Sequence, residues 1–198
     1  MAQFAITYDY LCPFARIANE IVVRGLEAGA EHDVTFRPFS LSQVHLEEGE
    51  TPVWHTEPRP SGVLALEWGL AVRDEFSDAF YDAHLALFSA RHDHGRDLTD
   101  PDVLREAVAS AGLDPEEVAK VVADGQPAKT LASEHTWGVE QHRVFGVPTF
   151  VFDERAVFIR LMQRKPEPAE ARATLERLLD VLTGWQELNE LKATRIPR

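Results

Sequence analysis

The chain has 198 residues, of which 44% are hydrophobic, and its formal net charge is −13. This length suits one large domain or a domain with an inserted subdomain, and the acidic balance disfavours nucleic acids and anionic membranes as partners. No apolar run approaches the ~20 residues that cross a bilayer, and no signal-like segment is recognisable at the N-terminus. We therefore expect a cytoplasmic protein, and the single cysteine excludes an intrachain disulfide.

That cysteine lies in the stretch Tyr8-Asp9-Tyr10-Leu11-Cys12-Pro13-Phe14-Ala15-Arg16. Residues 3–9 predict a buried strand, and apolar side chains at helical spacing predict a helix over residues 13–27. Proline suits the first helical position, so Cys12 is expected to be the N-cap. The helix N–H groups and dipole would then favour a thiolate, to which Arg16 adds positive charge. This pattern indicates a reactive cysteine, although lone cysteines are usually packing residues.

The residues after this helix predict a second strand and then a long helical segment. Residues 34–39 are β-rich and are stopped by Pro38, so strand, helix and strand form a βαβ unit with parallel pairing. Residues 40–60 combine an acidic run with several prolines, which predicts a surface loop. Residues 61–125 have helical patterns throughout, and Ser61 can cap the first of these helices.

The sheet is expected to resume after a returning helix over residues 128–145. Residues 149–152 and 156–159 are two β-rich runs joined by Asp153-Glu154-Arg155, and this short link predicts an antiparallel hairpin. A last amphipathic helix begins near Pro168. The helical block between the strands is therefore predicted to be an insertion and not an independent domain.

A second motif, Gly146-Val147-Pro148-Thr149-Phe150, lies between the returning helix and the hairpin. Taken alone, it predicts an ordinary helix-to-strand turn, in which most X-Pro bonds are trans. Pro148 has no N–H, and a backbone turned outward at Val147 can pair with an extended peptide or a thiol ligand. Thr149 would begin the strand beside this turn.

Together, the Cys12-Pro13-Phe14-Ala15 segment and the Val147-Pro148 loop resemble the DsbA-like branch of the thioredoxin superfamily. The resemblance implies a thioredoxin-like α/β fold with an inserted all-helical subdomain. It also implies a cis peptide bond before Pro148, with the loop facing the cysteine. The chain departs from the family at Ala15, where a second cysteine usually stands, so no disulfide can form within the active site.

The resemblance also divides the chain into two units. Residues 1–39 and 128–198 correspond to the thioredoxin-like domain, and residues 40–127 correspond to a loop and helical insertion that forms a lid over the site. In the site, Cys12 is the expected nucleophile. The expected substrate-binding residues are Pro13, Phe14, Val147, Pro148 and Thr149. Arg16 is an auxiliary residue, and Asp9 and Tyr10 are expected to line the pocket.

The activity implied by the resemblance is thiol–disulfide oxidoreduction through a single cysteine. Because Ala15 cannot resolve a mixed disulfide, an external thiol such as glutathione or mycothiol must do so. No bound cofactor is expected. The partners would be small-molecule thiols or disulfides, and protein disulfides and a homodimer are further options. Two alternatives stay open: a transferase or isomerase similar to kappa-class glutathione transferases and 2-hydroxychromene-2-carboxylate isomerases, or a non-catalytic thioredoxin-like binding protein.

The histidines do not predict a metal centre. His92-Asp93-His94 has donor spacing, and His135 and His142 lie seven residues apart on one predicted helix face. A zinc site needs about four converging ligands, and no third ligand stands at a diagnostic spacing. We expect an exposed loop and a solvated helix face instead. No Gly-rich phosphate loop and no Gly-x-Ser-x-Gly elbow occurs.

Overall fold

A computed structural model describes residues 1–60, 62–153 and 155–193 of the chain. The strands in these residues are β1 (Gln3–Tyr8), β2 (Asp33–Pro38), β3 (Thr149–Val151) and β4 (Ala156–Phe158). The helices are α1 (Pro13–Glu27), α2 (Leu41–Val44), α3 (Val63–Glu75), α4 (Phe80–His92), α5 (Pro101–Ser110), α6 (Pro115–Ala123), α7 (Gln126–His142) and α8 (Pro168–Gly184). The predicted cap Ser61, the hairpin residue Glu154 and residues 194–198 lie outside the described residues.

The strands form one mixed sheet in the order β2-β1-β3-β4. β1 pairs parallel with β2, as the βαβ pattern predicts, and antiparallel with β3. β3 and β4 form the predicted antiparallel hairpin, with Thr149 opposite Phe158. All residues of β1 after Gln3 are buried, so this strand lies in the core. The turn that holds Cys12 follows directly after it. The predicted thioredoxin-like α/β fold is confirmed.

Helices α1 and α8 pack closely against each other beside the sheet. Gly25 of α1 makes this packing possible, because a Cβ at that position would lie 2.9 Å from the Leu175 side chain of α8 and 3.5 Å from the Arg172 backbone. Real Cβ atoms essentially never approach heavy atoms at 2.9 Å, so glycine fits here without displacing α8. This packing fixes the direction of α1, which points its N-terminus at the second motif.

Helices α3 to α6 lie between β2 and α7 and form the predicted helical insertion. The segment 40–60 is not all loop, because Ser40 caps the short helix α2 through Gln43 N (3.2 Å) and Val53–His55 forms a 3₁₀ turn. Helix α7 also ends earlier than predicted, since Arg143 takes a left-handed conformation with φ of 55°. No helix among the described residues is long and apolar enough to span a bilayer.

Candidate active site

The structure brings the two sequence motifs into direct contact at Cys12. Cys12 is the N-cap of α1, and Pro13 occupies the first turn as predicted. The Cys12 Sγ accepts a hydrogen bond from Ala15 N at 3.4 Å. The same thiol donates to the carbonyl oxygen of Val147 at 3.3 Å, across 135 residues of chain. The sulfur therefore lies between the N-terminus of a helix and the backbone of the proline loop.

The Val147–Pro148 peptide bond is cis, the isomer that the resemblance implies. Hydrogen bonds fix this loop on both sides. Thr149 N donates to the Thr7 hydroxyl of β1 at 2.9 Å, and the Thr149 hydroxyl donates to Gly146 O at 2.8 Å. On the other side, the N–H of Ile159 donates to Pro148 O at 3.1 Å. Hydrogen bonds to the sheet therefore fix the position of the Val147 carbonyl beside the sulfur.

The expectation that Cys12 is readily ionised is wrong. Only 8% of the residue is exposed, and this burial raises the pKa of the thiol above its usual value. The N–H groups of Ala15 and Phe14 lower the pKa but do not cancel the effect of burial, and Asp9 raises it further. The helix terminus acts as predicted. The prediction failed because desolvation by the surrounding core is larger, so the protonated thiol dominates at neutral pH.

Asp9 does not line an open pocket, since it is 1% exposed. Its two carboxylate oxygens accept hydrogen bonds from Leu11 N at 2.9 Å and from Leu41 N at 2.8 Å. Burial raises the pKa of Asp9 to about 6, against the opposing effect of these two N–H donors. Asp9 therefore ties the turn that carries Cys12 to the first residue of α2.

Tyr10 is also fully buried and joins the active-site turn to α4. Its hydroxyl lies 2.9 Å from Nδ1 of His84, and Nε2 of His84 lies 3.2 Å from Oδ1 of Asn19. Because Nδ2 of Asn19 donates to Ala15 O at 2.8 Å, its Oδ1 must accept, so His84 is protonated at Nε2 and accepts from Tyr10 at Nδ1. Burial lowers the pKa of His84 to about 3, which keeps this imidazole neutral.

A second histidine of α4 holds the same turn through the backbone. His92 Nε2 lies 2.9 Å from the carbonyl oxygen of Tyr10. The expectation that His92 belongs to an exposed, solvated loop is therefore wrong, because it packs half-buried on the turn. Sequence reasoning missed this role, since nothing local in His92-Asp93-His94 shows what the end of α4 contacts.

Arg16 pairs with Asp93 at the end of α4. Asp93 also lies 3.5 Å from Arg164, which forms a two-pronged pair with Glu20 of α1 at 2.6 Å for each bond. Arg16 is buried in this network, so its charge serves the contact between α1, α4 and the segment after β4. It does not supply the positive charge that was expected at Cys12.

The cation beside the site is Arg160, which sequence reasoning missed. Its guanidinium carbon lies 4.6 Å from the ring centroid of Phe14 and 5.8 Å from that of Phe158. Its charge lowers the pKa of Cys12. The hairpin register contained the signal: with Thr149 opposite Phe158, two further steps place Arg160 opposite Val147. Of the other predicted contacts, Pro13 is exposed and Phe14 is half-buried at the rim, whereas Val147, Pro148 and Thr149 are buried.

The histidines show no metal centre in the part of the chain that the structure describes. No group of three or more His, Cys, Asp or Glu residues converges there in a way that could hold a metal ion. His135 stacks on Phe39 with ring centroids 4.4 Å apart, and His142 lies against Trp137 at 4.3 Å. The expectation of a solvated helix face is therefore wrong for His135, which is buried against Phe39, whereas His142 is half-buried beside Trp137.

Comparison with known proteins identifies the fold that carries this site. Residues 74–164 match the family model of the DSBA-like thioredoxin domain. The chain has the DsbA-like thioredoxin fold. The matched residues include the Val147-Pro148 loop and begin after Cys12, so the match does not cover the Cys-Pro-Phe-Ala motif. No curated protein matches the chain by sequence.

Solved structures with this DsbA-like fold match nearly the whole chain. The cytosolic disulfide reductase DsbM from Pseudomonas aeruginosa with GSH is 19% identical, with 89% of this chain and 98% of that chain covered and a TM-score of 0.60. A probable DsbA oxidoreductase from Streptomyces coelicolor is also 19% identical, with coverage of 96% and 93% and a TM-score of 0.61. The oxidoreductase NmDsbA1 from N. meningitidis is 13% identical, with coverage of 94% and 86% and a TM-score of 0.60. At these identities the likeness establishes the fold.

Proposed function

We propose that the protein catalyses thiol–disulfide exchange through Cys12 alone. The observation that carries the proposal is the position of the Cys12 sulfur, between Ala15 N of α1 and the carbonyl oxygen of Val147. In the first step the sulfur attacks a disulfide RSSR, a Cys12–S–S–R bond forms, the S–S bond of RSSR breaks, and one RSH leaves with the proton of the Cys12 thiol. The substrate loses one RS group to Cys12, and no further oxidant is needed.

The second step uses an external thiol, because Ala15 has no sulfur and the chain has no other cysteine. A low-molecular-weight thiol R′SH attacks the mixed disulfide, RSSR′ leaves, and Cys12 regains its proton. Glutathione and mycothiol are the proposed thiols. The structurally similar DsbM was solved with GSH, which supports glutathione, and its description as cytosolic supports a cytoplasmic location, where such thiols keep cysteines reduced.

Burial of Cys12 determines how this cycle depends on pH. Because burial raises the pKa of the thiol, the thiolate fraction is small at neutral pH and increases about tenfold per pH unit below the pKa. A thiolate of high pKa is a strong nucleophile and a poor leaving group. We therefore expect attack to be slow near neutral pH, and the mixed disulfide to persist long enough to be isolated.

The proposal is tested by intact mass spectrometry after incubation with glutathione disulfide between about pH 6 and pH 9. The expected result is one glutathionyl adduct that forms faster as pH rises, is absent in Cys12→Ser, and is released by dithiothreitol. An unmodified protein across this range, with unfolded protein modified under the same conditions as the positive control, would contradict the proposal.

One observation favours a second candidate, a transferase or isomerase that binds a thiol cosubstrate. Burial raises the pKa of the Cys12 thiol, and its S–H, which donates to Val147 O at 3.3 Å, can donate instead to the sulfur of a bound thiol cosubstrate. In this case Cys12→Ser would keep turnover of an electrophile with glutathione, and no adduct on Cys12 would accumulate. A non-catalytic binding protein would bind the thiol without either reaction.

The remaining proposals concern organisation and partners. We assign residues 1–39 and 128–198 to the thioredoxin-like domain and residues 40–127 to a lid. Support comes from α4, which contacts the active-site turn through His84 and His92. Pro13, Phe14, Val147, Pro148 and Thr149 are the proposed substrate contacts. Protein disulfides as substrates and a homodimer stay predictions.

A further inference from the structure

Arg160 lies at the edge of the proposed site. It follows β4 and lies opposite Val147 in the continued register of the hairpin. Its guanidinium also stacks over Phe14, two residues after Cys12. The cation therefore bridges the two segments that meet at the sulfur, the first turn of α1 and the proline loop.

Arg160 differs from the arginines that the fold uses for structure. Arg16, Arg73 and Arg164 each pair with carboxylates. Among the described residues Arg160 has no carboxylate within ion-pair distance, and it is exposed. Its charge is available to a ligand.

The N–H groups of the Arg160 guanidinium are available to a ligand. The guanidinium carbon lies 4.6 Å from the centroid of the Phe14 ring, and no hydrogen bond or ion pair among the described residues uses its N–H donors. Arginine can bind both oxygens of a carboxylate at once through these donors. Beside Arg160, Phe145 is 70% exposed and its ring centroid lies 5.3 Å from that of Phe158. The rim of the site thus combines the positively charged guanidinium of Arg160 with the exposed aromatic ring of Phe145.

We propose that Arg160 binds a carboxylate of the thiol or disulfide that reacts with Cys12, so that the protein selects anionic low-molecular-weight thiols. This inference rests on the proposed function, because it names the substrate class of the same site. Glutathione fits, since it carries two carboxylates and one amine, whereas neutral and cationic disulfides lack the group that Arg160 recognises. The exchange itself is unchanged: Cys12 still takes one RS group and RSH still leaves.

The test compares rates of Cys12 modification by three disulfides of different charge: glutathione disulfide, the neutral hydroxyethyl disulfide and the cationic cystamine. The wild type is compared with Arg160→Gln. Arg177→Gln, which removes an exposed cation from α8, an element that supplies no residue of the site, is the matched control. Loss of Arg160 also changes the pKa of Cys12, so the readout is the ratio of rates for two disulfides at one pH, in which the thiolate fraction cancels.

Arg160→Gln is expected to lower the ratio of glutathione disulfide to hydroxyethyl disulfide about threefold, the size of an exposed charge pair, and to raise the relative rate with cystamine. Added salt should reduce the wild-type ratio and leave the variant's ratio unchanged. Arg177→Gln should keep the wild-type ratios. Equal ratios in the wild type and Arg160→Gln would overturn the inference.

Alkylation separates failure of this inference from failure of the proposed function. Iodoacetate carries a carboxylate and iodoacetamide does not, and both alkylate a thiolate without disulfide chemistry. A lower iodoacetate-to-iodoacetamide ratio in Arg160→Gln, with no disulfide exchange in either protein, would overturn the exchange function and support carboxylate recognition. Normal disulfide exchange, with the same disulfide ratios and the same iodoacetate-to-iodoacetamide ratio in the wild type and Arg160→Gln, would support the exchange function and overturn carboxylate recognition by Arg160.

Discussion

Gly69 lies within α3 at the point where this helix passes the active-site turn, and alanine there should destabilise the protein. A Cβ at residue 69 would meet the hydroxyl oxygen of Tyr10 well inside van der Waals contact, and would lie 3.0 Å from Cε2 and 3.1 Å from Cζ of the same ring. Tyr10 has no room to retreat, since it is fully buried and packs on Phe88 with ring centroids 4.8 Å apart.

The magnitude follows from three effects. Overpacking of a filled core costs about 1–3 kcal/mol. Displacement of the Tyr10 hydroxyl from His84 leaves buried polar groups without partners, which costs about 1–3 kcal/mol more. Alanine gains about 1 kcal/mol over glycine inside a helix. We expect Gly69→Ala to lower the free energy of unfolding by about 1–5 kcal/mol, with a middle value of about 3 kcal/mol.

Urea unfolding followed by circular dichroism measures this change, with the slope required to stay constant. Gly138→Ala in α7 is the matched control, because the nearest atoms to its Cβ are at ordinary contact distance, 3.4 Å at Phe39 and 3.6 Å at Val144. It should be neutral or stabilising. Tyr10→Phe removes the closest atom, so Gly69→Ala should cost less in that background. A Gly69→Ala protein as stable as the wild type would refute the reasoning.

Two further predictions concern buried charges. The pKa of Asp9 is raised by burial from 3.8 to about 6 in the folded protein, so its contribution to stability is full below about pH 4 and is lost as pH rises through about 6, a loss of about 3 kcal/mol. Unfolding measured against pH should show this loss in the wild type, and an equally steep loss in Asp9→Asn would contradict it. Arg73 bonds to both oxygens of the largely buried Glu134 at 2.9 and 3.0 Å, so Arg73→Ala should cost about 3 kcal/mol, whereas Arg96→Ala at an exposed pair should cost less than about 1 kcal/mol. Equal losses of unfolding free energy in these two variants would show that burial of the pair has no effect.

Local chemistry made much of the fold predictable. Pro13 at a helix start, the period of the apolar residues in α1, and the short link between two β-rich runs are all contained in adjacent residues. The structure has α1 over Pro13–Glu27 and the antiparallel β3–β4 hairpin, as these signals predict. Helix α2 was missed because its cap, Ser40, lies in a segment whose prolines and acidic residues indicate a loop.

The site was harder to predict because its electrostatics come from residues distant in sequence. The N-cap position of Cys12 was predictable, but the burial that raises its pKa comes from the core packed around it. Arg16 was expected near the sulfur on spacing alone, yet it pairs instead with Asp93, which lies 77 residues away in the chain. Arg160 reaches the site only through the register of the hairpin, which a pattern of apolar residues does not specify by itself.

The most direct test of the account is turnover. Glutathione-dependent reduction of hydroxyethyl disulfide, coupled to glutathione reductase, should proceed above the uncatalysed rate with the wild-type protein and increase with pH. The rate with Cys12→Ser should equal the uncatalysed rate. Equal rates with the two proteins would contradict the claim that the Cys12 sulfur carries the chemistry.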